Sequence, residues 1–334
     1  MREAMAMESE AGIKRRLACS ALLLLCAGRA QAGFLQDSPS AAAQAMAGTF
    51  AGKADDAGAL FINPAGLAQL NRPEGYLLHS RPLLGLKGAS LSQSALAAAV
   101  PAGESWTFAL GANSFDAAGL LKEQEFLLGG AYKLNSHLVL GMSLGYLRRS
   151  YNIGGDPLAE RDPVFKNGTS KGALGLDAGA IVTINSQAQL GFSARHLNRP
   201  DLGLSGSDRV PMTLRAGGLY RLERFNVLAD LNLRDSRSGE AGERRFSWSA
   251  ATEILVVKRQ VTPSLLMRAG VNENQFTAGF GVTAWDLTVD YAFALFSRII
   301  QDNAGGHTVA LRVAFGGERV SGKEKRWAKR WERE

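Results

Sequence analysis

The sequence predicts an all-β protein: a transmembrane antiparallel β-barrel of about 14 strands, the number seen among such barrels, with a small N-terminal helical hatch. Three observations predict it. From Tyr76 onward, large apolar residues recur at every second position, which is the spacing that gathers them on one face of a strand. The segments run to about 10 residues or more, the length that crosses a tilted bilayer. Their connections alternate between tight turns and longer polar loops, as the two ends of a membrane barrel do.

Residues 1–32 read as a signal peptide. Lys14, Arg15 and Arg16 precede an apolar run from Leu17 to Ala27, too short to span a bilayer, and Ala30-Gln31-Ala32 fits a signal peptidase site. Leu25 stands before Cys26 where a lipid-modified leader needs a small residue. Both cysteines, Cys19 and Cys26, fall inside this peptide, so the processed chain has no thiol for a disulfide, a metal or catalysis. The peptide carries a net charge of +2 of the whole chain's +7, and the segment from Glu318 to Glu334 another +3. A basic excess concentrated in a tail argues against a nucleic-acid-binding fold.

Residues 33–73 form the expected hatch. Its centre runs Asp55-Asp56-Ala57-Gly58-Ala59-Leu60-Phe61-Ile62-Asn63-Pro64-Ala65-Gly66-Leu67-Ala68. Asn63, Pro64 and Gly66 combine a turn former, a ring-locked residue and one tolerant of positive φ, so the chain turns there. Ala41 to Phe50 and Leu67 to Leu70 read as short helical pieces. Asp55 and Asp56 either pair with Arg195 or Arg215 to position the hatch, or act as a helix cap and a first-turn charge.

Residues 74–315 form the expected barrel, with strands near 75–80, 89–100, 105–115, 123–134, 137–149, 171–184, 187–197, 209–222, 225–235, 244–258, 261–271, 274–284, 286–296 and 306–315. Leu138, Leu140, Met142, Leu144 and Tyr146, alternating with Gly141, Ser143 and Gly145, show the pattern most clearly. Tight turns at 102–104, 135–136, 185–186, 223–224, 259–260 and Trp285 face long connections at 81–88, 152–170, 198–208, 236–243 and 297–305. A β-sandwich also alternates, but its apolar stripe needs a second stripe to face. Here the opposite set is small or charged. Asp177, Arg195, Arg215, Asp230, Arg234, Glu253, Arg268, Asp286, Asp290 and Arg312 are its lumenal charges, and their mixed sign suits a network holding a hatch more than a wide ion pore. Residues 316–334 form a basic tail in which Trp327 and Trp331 share one helical face.

The chemistry is otherwise sparse. His79, His137, His196 and His307 lack metal-ligand spacing, and no nucleophile elbow, phosphate loop or His-Glu-x-x-His motif occurs. No catalytic residue, metal or cofactor is expected.

The Asp55-Asp56-Ala57 and Asn63-Pro64-Ala65-Gly66-Leu67-Ala68 motifs resemble the N-terminal hatch of FadL-type fatty acid transporters and of PorV/PorQ outer-membrane proteins. Val309, Leu311, Val313 and Phe315 are similar to the C-terminal signal read by the barrel assembly machinery, although 19 residues follow Phe315. The resemblance implies a monomeric, non-enzymatic barrel in a Gram-negative outer membrane. Its implied function is passive transport of hydrophobic compounds such as long-chain fatty acids. The alternatives are a type IX secretion barrel that shuttles exported proteins and, third, an outer-membrane lipid-modifying enzyme. The implied partners are the bilayer, a hydrophobic ligand and the assembly machinery.

Overall fold

The computed structural model describes residues 39–85, 90–154, 157–235, 244–257, 263–296 and 304–316. The signal peptide, the 259–260 turn and the tail beyond Gly316 lie outside the described residues.

Helix α1 (Ala41–Ala45) and two 3₁₀ turns, Ala57–Phe61 and Pro64–Gln69, come first. The strands follow: β1 (Glu74–Arg81), β2 (Leu91–Ala102), β3 (Trp106–Ala117), β4 (Leu121–Lys133), β5 (Leu138–Tyr151), β6 (Ser170–Thr183), β7 (Ala188–Arg195), β8 (Met212–Arg221), β9 (Phe225–Asp235), β10 (Arg244–Val257), β11 (Ser264–Asn272), β12 (Gln275–Ala284), β13 (Leu287–Phe296) and β14 (Gly306–Ala314). Each pairs antiparallel with its sequence neighbours, and β1 pairs with β14 from Glu74↔Ala314 to Arg81↔His307, closing the ring. Closure leaves no strand edge unpaired, the condition for a sheet to sit in hydrocarbon.

The alternation decides which way each face points. On β5, Met142 is 59% exposed and Leu144 51%, whereas Gly141, Ser143 and Gly145, which alternate with them, are buried. The apolar stripe therefore faces outward around the ring, as a lipid-facing surface requires and a sandwich would not allow. Three tight connections are built by one asparagine each. Asn135 Oδ1 accepts from the N–H groups of His137 and Leu138, Asn185 from Gln187 and Ala188, and Asn272 from Asn274 and Gln275. Asparagine suits these positions because its short side chain reaches its own backbone two and three residues on.

One end of the barrel carries the turns β2–β3, β4–β5, β6–β7, β8–β9 and β12–β13; the other carries the longer connections together with the short β3–β4 and β11–β12 turns. We call them the turn end and the loop end. At the loop end β7 is only 8 residues against 14 in β6. Asn198 takes over the ladder that β7 leaves: its Nδ2 donates to the Leu174 carbonyl at 2.7 Å, and its Oδ1 accepts from Leu176 N–H at 3.0 Å. The following loop turns inward and buries Leu202 and Val210.

Candidate functional site: the hatch and the charged lumen

Residues 41–70 pack against the inner face of the ring, and most are fully buried. Small inward residues make room for them. A Cβ at Gly141 would fall on the backbone of Pro64 and Ala65, at Gly191 on the Ala51 carbonyl, and at Gly270 on Met46. Backbone thus lies directly on the wall, and its polar groups must find partners there.

Those partners come from six strands, β1, β7, β8, β9, β11 and β12. Asp230 on β9 accepts from the N–H groups of both Phe50 and Ala51, at 2.9 Å each. Glu74 on β1 accepts from Ala57 N–H at 2.7 Å, and Tyr76 Oη accepts from Ala41 N–H at 3.1 Å. Gln189, Asn272, Thr277 and Arg215 donate to the carbonyls of Gly52, Ala47, Ala45 and Gly48. Each bond contributes about 0.5–1.5 kcal/mol, and those to the carboxylates about 1.5–3 kcal/mol.

Asn63 holds the turn as expected. Its Oδ1 accepts from Ala65 N–H at 3.2 Å, and its Nδ2 donates to the Ala51 carbonyl at 2.9 Å, so one side chain joins two stretches of the hatch. Pro64 fills the first position of the second 3₁₀ turn, where no N–H is needed. Gly66 departs from the expectation. Its φ is not positive; glycine stands there because a Cβ would strike the carbonyl and side chain of Ala54.

The two aspartates divide. Asp55 is exposed and pairs with Lys53 at 2.8 Å. Asp56 is 1% exposed, takes the cap position of the first 3₁₀ turn without a side-chain capping bond, and keeps a buried Oδ1 with no hydrogen-bond partner. The expected pairing with Arg195 or Arg215 does not form: Arg195 pairs with Glu125 and Asp177, and Arg215 donates to Gly48. Burial raises the Asp56 carboxyl from 3.8 to about 7 against the pull of Arg312. Three cations, Lys53, Arg268 and Arg312, already face Asp55, Glu74, Glu253 and Asp290 nearby, so a further negative charge meets an acidic surplus.

The lumenal charges fall into two networks. On β10–β14, Arg268 bridges Glu253 at 2.8 Å and Asp290 at 2.6 Å; Arg312 adds a bond to Asp290 at 2.8 Å; Lys53 of the hatch reaches Glu253 at 3.4 Å. Asn226 donates to the other Glu253 oxygen at 2.9 Å. On β4–β7, Arg149 pairs with Glu123 at 2.9 Å and also with Asp208 of the inward loop. Arg195 links Glu125 to Asp177, whose other oxygen accepts from His196 N–H at 2.7 Å. Arg234 lies half-buried on the same inward row of β9 as Asp230. Asp286 is not lumenal. It sits exposed on the β12–β13 turn and pairs with Arg72 at 2.7 Å, because β13 begins at Leu287, one residue later than its alternation implies.

Sequence reading missed Glu74, Glu123, Glu125, Arg149 and Lys53. The first four carried a usable signal: Glu123 and Glu125 are two apart, and Arg149 keeps the parity of Gly141 and Ser143 on β5. Lys53 carried none, since the hatch has no strand period.

Residues 58–300 match the family described as type IX secretion system membrane protein PorP/SprF. No curated protein sequence matches the chain. Among solved structures, the CymD monoaromatic hydrocarbon channel is similar with a TM-score of 0.63 at 14% identity, over 86% of this chain and 100% of that one. The Ralstonia pickettii toluene transporter TbuX gives 0.61 at 13% identity over 85% and 100%, and a Pseudomonas aeruginosa FadL homologue gives 0.58 at 14% over 85% and 100%. At such identities the likeness establishes the fold.

Proposed function

The chain belongs to the PorP/SprF family of type IX secretion system membrane proteins, and we propose that it serves secretion as a hatch-sealed outer-membrane barrel that holds exported protein from outside its lumen. The barrel is an outer-membrane β-barrel, and the solved structures it resembles are channels and transporters, not enzymes. The observation that carries the proposal is the fit of hatch backbone onto wall glycines at Gly141, Gly191 and Gly270, with side chains from six strands closing the polar gaps. A polypeptide has no path through such an interior while the hatch stays docked. In this reading residues 33–73 are the hatch, 74–315 the barrel and 316–334 a tail on the periplasmic side, the turn end faces the periplasm, and the barrel is an assembly-machinery client that works as a monomer without covalent chemistry.

Two measurements test this. Purified barrel in a planar bilayer is expected to stay non-conducting, and deletion of the gene is expected to reduce exported cargo while leaving uptake of a labelled long-chain fatty acid unchanged. Unchanged export with lost uptake would overturn it in favour of the second reading, passive transport of hydrophobic compounds. The fold shared with hydrocarbon channels supports that reading.

A further inference from the structure

An apolar concavity lies outside the lumen. It lies on the outward face of β6–β10, encloses about 720 Å³, and is walled by Phe192, Leu214, Leu231, Leu233, Phe246 and Trp248. Register explains its shape. Going round the ring, one outward row reads Ala180, Phe192, Ala216, Leu231, Trp248, and the next row towards the loop end reads Ala178, Ala194, Leu214, Leu233, Phe246. Four alanines stand where β5 presents Leu140, Met142, Leu144 and Tyr146 outward. The short side chains make the floor and the aromatics the far wall.

The next position along these strands changes character. Asp235 and Arg244 are directly opposed, one step beyond Leu233 and Phe246 on the same face. Arg244 Nε approaches Asp235 at 3.4 Å, and Arg199 Nη2 bonds the same carboxylate oxygen at 2.9 Å. Two guanidiniums thus share one carboxylate one outward position beyond the Leu233–Phe246 wall of the concavity. Beside them Arg245 faces Glu273 at 4.0 Å, and Glu273 is held by Trp248 N–H at 3.0 Å. Among the described residues the group carries three cations against two anions.

We propose that this face is a seat for a phosphate-bearing membrane lipid, with an acyl chain over the alanine floor and the phosphate on Arg199 and Arg244. An apolar trough beneath an excess of guanidinium charge complements such an amphiphile at both ends: guanidinium pairs with phosphate in two-bond geometry, and the floor takes hydrocarbon. A neutral lipid satisfies only the floor.

Trp248 supplies a reporter. In full-length chain with Trp106, Trp285, Trp327 and Trp331 replaced by Phe, quenching by phosphatidylglycerol brominated on its acyl chains is expected at about fivefold lower lipid than by the phosphatidylcholine analogue. Arg199→Gln with Arg244→Gln is expected to erase that preference, and Ala216→Phe to weaken quenching by both lipids. Equal quenching by the two lipids would overturn the proposal, leaving ordinary bulk lipid at this face. Protection of Trp248 together with a dimer mass would assign it to a second copy instead. Should the reporter variant not fold, phosphate-bearing lipid retained by the otherwise unchanged chain on purification, compared with Ala216→Phe, decides the same question: equal retention overturns it.

Discussion

The two charge networks inside the barrel are built from the same residue types yet hold different things. The β10–β14 network is dry: Arg268, Glu253 and Asp290 are at most 4% exposed and lock the wall to the hatch through Lys53. The β4–β7 network reaches water through Asp208, 48% exposed, and anchors the loop that follows β7. A buried pair contributes modest net stability but costs much when half of it is removed, whereas a partly wet one can turn to solvent. The hatch is therefore tied where breakage is most expensive.

Arg268→Ala tests this most directly. It leaves buried Glu253 with only Lys53 and Asn226 and buried Asp290 with only Arg312, and is expected to lower barrel stability by about 3 kcal/mol and to open a conductance. Arg149→Ala is expected to lose less and leave the lumen closed. Equal losses in chemical unfolding would erase the distinction between the networks.

Proton linkage at Asp56 comes next. Its carboxyl is neutral in the docked hatch up to about pH 7 but ionises near 3.8 when exposed. The docked state therefore keeps full stability below 3.8 and loses it as pH rises through about 7. Arg312 opposes the shift, while Glu74, Asp55 and Asp290 add to it. Asp56→Asn should flatten this dependence and, at pH 8, stabilise the closed form by about 2–4 kcal/mol, as read from thermal unfolding at pH 5 and pH 8.

Gly141→Ala places a methyl group against the backbone of Pro64 and Ala65. The expected loss is about 1–3 kcal/mol with raised hatch susceptibility to protease. The same substitution at Gly218, where a Cβ would have ordinary contacts, should show neither effect. Smallest is Asn63→Ala with Pro64→Ala, which removes the bonds to Ala65 and Ala51 but leaves the wall intact. It is expected to cost about 1–2 kcal/mol and raise permeability to a small hydrophobic dye, with the boiling-dependent gel shift of a folded barrel retained.

The sequence by itself determined the ring. Period two, strand length and turn chemistry are local, so Leu138 to Tyr146 or Asn185 could be read without knowing their neighbours, and the count of 14 strands stands. It also marked Asn63 and Pro64 as the hatch turn, because an asparagine before a ring-locked residue acts within two positions. Tertiary structure decided what touches what. Gly66 is glycine because Ala54, 12 residues earlier, lies against it, and Lys53 meets Glu253 from 200 residues away. Asp56 reads as a first-turn charge until its burial is known. The outward trough needed all five of its strands in register, since only then do Ala178, Ala194 and Ala216 join Phe246 and Trp248 as one surface. Side-chain parity fixes which face a residue takes, but only closure of the ring sets who stands opposite it.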